Sequence, residues 1–398
     1  MKNRTVLISG ASIAGPALAF WLHRYGFQPT IVERAPALRP GGYAVDFRGA
    51  SLRVLERMGL LPDVQRKQTR IGAITIVDRN NRKVASMPDG FTSGELEIPR
   101  GDLAAIFHAA TRDTTEYIFD DSIASIEESA AGVDVLFQRS ARRRFDLVVG
   151  ADGLHSQVRS LVFGEEASFA RYLGYYICIF TIPNFLNLDH AGLYYGNLGK
   201  KIGIFSGGDP WEAKASFFFA TEPFDYARRD SAEQRKILHE HFRHEGWQAP
   251  RLLELMETAP DFYFDSISQV KMDRWSAGRI VLLGDAAWCA SPLSGMGTGM
   301  AVVGAYILAG ELAAADGDYH LAFESYETLM REFVEKCQGI ADGGTDWFVP
   351  RTRFRFWLST QLWKILPHTP WKNMMIEVPL KIGNSIHLKD YRVRTEVS

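Results

Sequence analysis

The sequence predicts an α/β protein: a parallel sheet flanked by helices, interrupted by an antiparallel sheet and followed by a helical tail. Three observations lead there. The first 34 residues spell strand, turn, helix, strand. Runs suited to parallel strands buried on both faces return at Leu147-Val148-Val149 and at Ile280-Val281-Leu282-Leu283. Between them, from about Arg171 to Phe264, aromatic and β-branched runs alternate with turn residues, which is antiparallel patterning.

The elements follow in order. Thr5 to Ser9 reads as a strand and Gly10 to Gly15 as a turn. Ile13 to Tyr25 is a helix apolar almost all round, with Pro16 in its first turn and Gly26 at its C-terminal end. Thr30-Ile31-Val32 is the second strand, ending in Glu33. Gly41 to Gly49 is rich in loop residues, and Ser51 to Met58 is a helix. Ile71 to Met87 reads as two strands joined at Arg79-Asn80-Asn81-Arg82. Asp102 is the expected N-cap of a helix over Leu103 to Ala110. The antiparallel region carries strands at Tyr175 to Ile182, Gly192 to Tyr195, Ile202 to Phe205 and Ala215 to Ala220, and a helix at Ala232 to His244. Gly299 to Ala314 and Phe323 to Ile340 are helices, and Phe354 to Lys364 reads as an amphipathic one.

A chain of 398 residues exceeds a single ordinary core. The expected division is a nucleotide-binding domain over 1–70, 98–165 and 276–345, a substrate domain over 71–97 and 166–275, and a C-terminal helical segment over 346–398. Net charge is -2 with no basic stripe, which sets nucleic acid aside as a partner. Cys178, Cys289 and Cys337 are far apart and odd in number, the pattern of reduced thiols in a cytoplasmic protein. Lys2 and Arg4 before an apolar stretch ending near Ala17-Leu18-Ala19 imitate a secretory signal, but strand, turn and helix account for more of those residues. No membrane span is expected, and a monomer is.

Gly10-Ala11-Ser12-Ile13-Ala14-Gly15 is a G-x-S-x-x-G turn between strand and helix. It fits a Rossmann-like dinucleotide site. Gly10 permits the tight turn, small Ser12 permits backbone approach to a pyrophosphate, and Gly15 permits close helix–strand packing. Free N–H groups at the helix N-terminus then face the phosphates. Glu33 lies 18 residues beyond Gly15, where its carboxylate can accept from ribose hydroxyls.

Two later stretches narrow the reading. Asp146 to Gly153 spells DLVVGADG, with Ser156 and Arg159 following. Gly278 to Ala287 spells GRIVLLGDAA, with Pro292 and Gly295-Met296-Gly297-Thr298-Gly299 following. With the first motif, these make the chain resemble the class A flavoprotein aromatic monooxygenases through about residue 330. The segment Gly41 to Gly49 looks like that of tetracycline destructases and related polyketide monooxygenases. The resemblance implies FAD as cofactor, NADPH or NADH as co-substrate, and insertion of one oxygen atom from O2 into an aromatic or polycyclic small molecule. The expected cofactor-binding residues are Gly10, Ser12, Ile13, Ala14, Gly15, Glu33 and Arg34 at the first turn. To these are added Asp46, Arg48, Arg100 and Asp152, then Asp285, Gly295, Met296 and Gly297 at the third motif. Asp285 can hydrogen-bond the ribitol, and Gly295 to Gly299 can bring backbone N–H groups to the flavin. Arg39 is a weaker candidate for the nicotinamide nucleotide's phosphate.

No catalytic side chain and no metal are expected, because flavin carries the redox chemistry. His239, His241 and His244 share a helix without metal-ligand spacing. His155 and Ser156 lack the surroundings of a nucleophile elbow. A flavin reductase without oxygen insertion and a non-enzymatic FAD-binding protein are the alternatives. The chain departs from the family's common form at Trp288, where His is frequent, at Met296, where Gln is, and at Gly299, where Asn is. Bulk at Trp288 and Met296 is expected to narrow the site. Tyr194, Tyr195, Phe217 and Phe218 are expected to line the substrate pocket.

Overall fold

The computed structural model describes residues 2–39, 41–87, 94–342, 345–366, 369 and 374–391. The parts of the expected substrate domain at 88–93 and of the tail at 392–398 lie outside them. Val6, Leu7 and Ile8 are wholly buried, so Thr5–Ser9 takes the middle of a six-stranded sheet. On one side it pairs in parallel with Gln28–Glu33, which pairs with Glu116–Phe119. On the other it pairs in parallel with Leu147–Gly150, which pairs with Ile280–Leu282, and Ser276–Ala277 closes that edge antiparallel. The chain therefore reverses direction across the sheet beside Thr5–Ser9. A doubly wound sheet binds its ligand at such a switch point, beyond the carboxyl ends of the strands. Helices Ala14–Arg24 and Gly297–Ala314 pack together there, with Trp21 edge-on to Tyr306 at 4.8 Å.

Gly297–Ala314 is long and apolar enough to cross a bilayer, which the sequence reading did not anticipate. In the fold it is a core helix, with 78% of it inside the protein.

The second sheet has seven strands: Phe262–Val270, Ala170–Pro183, Glu212–Ala220, Lys200–Ser206, Ala191–Asn197, Ile74–Val77 and Lys83–Met87, in that spatial order. It is antiparallel except where Ala191–Asn197 meets Ile74–Val77. Helices Ser231–Phe242 and Ala249–Glu257 cover one face with a core that includes Phe180, Phe217, Phe219 and Phe242. The other face carries Ile177, Tyr194, Phe218 and Ile267, and it meets Phe348, Val349 and Trp363 of the C-terminal segment. Because strand side chains alternate, the four aromatics expected to line one pocket divide. Tyr194 and Phe218 take this second face, whereas Phe217 packs under the helices and Tyr195 stacks on Trp247.

Three further departures have local causes. The segment 41–49 is not all loop: Ala44–Phe47 is a strand that pairs with Leu96–Pro99 in a separate ribbon. The helix expected to start after Asp102 starts at Arg100, with Pro99 at its N-cap; Asp102 sits in its first turn, 3.5 Å from Lys67. The strands Ile123–Ser129, Gly132–Phe137 and Arg143–Phe145 form a meander that the sequence reading left unassigned.

Candidate cofactor and substrate cleft

The first turn closes tightly. Gly10 has φ +109°, and a side chain there would stand 2.5 Å from the Ala151 carbonyl oxygen. A side chain on Gly15 would stand 2.0 Å from the Gly10 carbonyl oxygen. The first and second motifs are thus in backbone contact. Ser12 is outside the set of residues with positive φ, which is why a residue other than glycine serves at that position. Helix Ala14–Arg24 has Ile13 as an N-cap without a side-chain hydrogen bond and no acid in its first turn. Its leading N–H groups and positive dipole end are left for an anion. The Ala11 N–H donates to Glu33 Oε2 and the Ala35 N–H to Oε1, both at 2.9 Å, which fixes the carboxylate at the strand end. Arg34 and Arg39 are exposed beside it.

Asp152 turns inward. It accepts from the Gln157 N–H at 2.9 Å, the Val158 N–H at 3.1 Å and the Ser156 hydroxyl. Its carboxylate therefore receives the first two N–H groups of helix Gln157–Val162, whose N-cap is Ser156. Arg159 is wholly buried and donates to the carbonyls of Ala286, at 2.9 Å, and Leu154, at 2.6 Å, tying the second motif to the third.

Asp285 follows Gly284, which has φ +68°, and occupies the first turn of a short helix without capping it. Burial raises its pKa, against the pull of Arg100, and the nearby Cys289 thiol donates to the Ser268 carbonyl at 3.6 Å. A side chain on Gly297 would stand 3.6 Å from Asp285 Oδ1. Helix Gly297–Ala314 likewise begins without a side-chain cap or a first-turn acid. Arg48 donates to the Gly295 carbonyl at 2.7 Å and pairs with Asp46 at 3.4 Å, joining the segment 41–49 to the third motif. Ser291 holds φ +79° and accepts from the Leu293 N–H. This strained non-glycine residue beside the site had no signal in the sequence.

Tyr43, Asp46, Glu97, Tyr263 and Asp285 lie deep enough that burial dominates the acidity of each, yet every one retains open surface. They come from the ribbon, the seven-stranded sheet and the third motif, and so outline one cleft between the two sheets. Two uncapped helix N-termini, a carboxylate at the Glu33 strand end and the available Asp285 carboxylate make a donor and acceptor set that fits FAD. Trp288 does not narrow this cleft. Its ring is buried against Trp275, and its Nε1 donates to the Tyr326 hydroxyl at 3.2 Å. Met296 is 4% exposed, with its side chain in the core, so its backbone alone adjoins the loop.

A histidine that sequence reasoning set aside links the sheets. His155 Nδ1 lies 3.0 Å from both oxygens of Glu166, and Nε2 lies 3.0 Å from Asp265 Oδ1. Burial opposes its charge, but the hydrogen bonds to Asp265 and Glu166 outweigh it and push the pKa up to about 9. The unfolded value is roughly 6.5. The stabilisation is therefore complete below that value and is lost as pH rises through 9. Thermal melts are expected to fall steadily from pH 7 to pH 10, and His155→Gln should flatten that fall. An unchanged slope in His155→Gln would show that the bridge does not carry it. His239 instead pairs with Glu257 at 2.9 Å, and His241 lies on the Phe219 ring at 4.1 Å.

Comparison with known proteins agrees with this geometry. Residues 3–337 match the family described as FAD binding domain. A flavin-dependent monooxygenase of Legionella longbeachae is 42% identical over 342 residues, 85% of this chain and 87% of that protein. The FAD-dependent monooxygenase asL4 of Sarocladium schorii is 36% identical over 393 residues, 92% of this chain and 90% of its own length. Among solved structures, tetracycline destructase Tet(51) superposes with a TM-score of 0.87 at 36% identity, covering 98% of this chain and 100% of that one.

Proposed function

The chain belongs to the FAD binding domain family and is an FAD-dependent monooxygenase that uses NAD(P)H and O2 on a small molecule, and from that premise we propose that its substrate is a fused-ring, polyketide-like aromatic such as a tetracycline. The observation that carries this reading is the face of the seven-stranded sheet turned away from its helices. There Ile179, Phe205 and Tyr263, with Leu293 of the third motif, stay partly open beside the buried rings of Tyr194 and Phe218, which Phe348 and the Lys201 ammonium cover. Flat, multi-ring ligands bury well on such a surface. The likeness to Tet(51), a tetracycline destructase, supports the same class.

Bound FAD supplies the redox chemistry, accepting electrons from NAD(P)H and activating O2. The chain's own residues bind and orient. The amides that lead helix Ala14–Arg24 hold the pyrophosphate, with Gly10, Ser12, Ile13, Ala14 and Gly15 supplying the close approach. Glu33 accepts from the adenosine ribose, and Arg34 flanks it. Asp285 accepts from ribitol hydroxyls. The backbone of Gly295, Met296 and Gly297 meets the flavin edge, where Arg48, aligned by Asp46, and Arg100 add positive charge. Asp152 acts through the turn it holds. We assign residues 1–70, 98–165 and 276–345 to the FAD domain, 71–97 and 166–275 to the substrate domain, and 346–398 to a C-terminal segment whose helix Arg353–Ile365 packs Trp363 against the second sheet. A reducing, cytoplasmic setting is supported by three buried free cysteines, and a monomer is the state we propose.

Incubation with FAD, NADPH, O2 and tetracycline is expected to consume NADPH and yield a product heavier by one oxygen atom, or its breakdown products, with loss of the drug's absorbance. Turnover of a one-ring phenol alongside no change in tetracycline would remove the polycyclic reading.

A further inference from the structure

The ribbon of Ala44–Phe47 and Leu96–Pro99 has two unlike faces. Val45, Phe47, Leu96 and Ile98 are buried in the core beneath the six-stranded sheet's helices. Asp46 and Glu97 stand on the other face, directly opposite one another in the register of the pair. Side chains so placed have Cβ atoms roughly 4.5–5.5 Å apart, and two like charges there destabilise the pair. The surroundings do not treat the two acids alike. Asp46 accepts from the Gly94 N–H at 2.8 Å and from Arg48 at 3.4 Å. The same Arg48 nitrogen is committed to the Gly295 carbonyl. Glu97 receives the Thr69 hydroxyl on Oε1, and no ion pair to it is formed among the described residues. The charged and titratable groups that face it are Asp46 and Arg48 across the ribbon and Tyr194 on the seven-stranded sheet. Behind these lie His190, whose Nδ1 is 3.1 Å from the Thr69 carbonyl, and Lys201, whose Nζ is 4.7 Å from the centre of the Tyr194 ring.

We propose that Glu97 is the neutral carboxylic acid of this cleft, keeping its proton on Oε2 and donating it as a hydrogen bond to a substrate oxygen, so that the site selects fused-ring substrates presenting a carbonyl, enolate or phenolate oxygen to the ribbon. The inference deepens the polycyclic reading above and rests on it for the ligand class. Burial, with the neighbouring Asp46 charge, pushes the pKa of Glu97 up to about 8, against the Thr69 hydrogen bond and Arg48. An acid kept neutral by an apolar site is a hydrogen-bond donor at neutral pH. As pH rises through that value the donor is replaced by an anion, which repels the same substrate oxygen. Binding should therefore weaken on the alkaline side.

Two measurements on the FAD-loaded protein test this. Infrared titration from pH 6 to pH 10 is expected to show a protonated-carboxyl band that disappears through about pH 8 and is missing from Glu97→Gln. Absence of such a band in the wild type at pH 6 to 7 would overturn the assignment without recourse to any variant. Tetracycline affinity, followed by flavin fluorescence without NADPH, is expected to weaken between pH 6.5 and pH 9.5 by roughly tenfold more in the wild type than in Glu97→Gln, whose amide keeps a donor. The drug's own ionisations are common to both proteins and cancel in that comparison. Parallel pH profiles would overturn the proposal. If tetracycline binds neither protein and phenol binds both, the polycyclic reading falls by itself. The same comparison made with phenol then decides Glu97: a wild-type profile steeper than that of Glu97→Gln upholds it, and parallel profiles overturn it.

Discussion

Asp285→Ala is expected to lower FAD affinity by roughly 10- to 100-fold, the worth of hydrogen bonds to a charged acceptor. The carboxylate is largely buried, its pKa is raised by that burial, and the nearby Cys289 thiol gives its hydrogen to the Ser268 carbonyl instead. A charge held so weakly by its own protein costs the fold stability. It is not a helix cap, because no side-chain cap bond is made at that helix. A ligand role and a structural role thus predict opposite results. If Asp285 serves FAD, Asp285→Asn should bind flavin less well while the flavin-free protein melts no lower than the wild type. Flavin-to-protein absorbance ratios, fluorescence titration and thermal melts of the stripped protein read both arms. Full flavin affinity in Asp285→Ala would refute the ribitol assignment, and a lower melting temperature in flavin-free Asp285→Asn would make the residue structural.

What was legible in the sequence was local or repeated at fixed spacing. The opening strand, turn and helix could be read because a β-branched run, two glycines and an apolar helix lie in one continuous stretch, each agreeing with the next. The carboxylate at Glu33 and the loop after Asp285 followed from the same strand-end logic. Pairings across long separations were not legible. Asp46 and Glu97 face each other only because Ala44–Phe47 and Leu96–Pro99, about 50 residues apart, form a ribbon, and neither four-residue strand stands out by composition. The meander at Ile123–Ser129 and its neighbours carries charges on its exposed side, as in Ile126-Glu127-Glu128, which blurs its alternation. His155 was passed over because its two partners, Glu166 and Asp265, come from a turn and a distant strand. The division of Tyr194 from Tyr195 and of Phe217 from Phe218 was implicit in the strand period, since adjacent residues cannot share a face. Trp288 is different: a buried apolar stretch gives no sign of which way a large ring points, and only packing against Trp275 and Tyr326 decides it.

Gly15→Ala is expected to abolish stoichiometric FAD binding and to destabilise the protein by roughly 1–3 kcal/mol, the usual cost of overpacking. The added methyl would stand 2.0 Å from the Gly10 carbonyl oxygen and 3.2 Å from Ile8 Cγ2. The first of these is backbone and has no rotamer to escape into. Gly10 itself is pinned, since its N–H donates to the Val32 carbonyl at 2.8 Å and its Cα side is closed by Ala151. The helix must therefore move instead. Helix Ala14–Arg24 carries the uncapped N–H groups assigned to the pyrophosphate, and it packs on Gly297–Ala314 through Trp21 and Tyr306. A shift would misplace both helix N-termini that face the cleft. Ser12→Gly is the matched control: Ser12 adopts ordinary φ, so glycine there restores the commoner fingerprint without relieving any strain, and flavin content should stay near that of the wild type. Flavin content after purification and thermal melts with and without added FAD distinguish the two. A Gly15→Ala protein that holds one FAD per chain and melts with the wild type would show that the turn tolerates a side chain, and the close approach of the helix to the strand could not then be what builds the site.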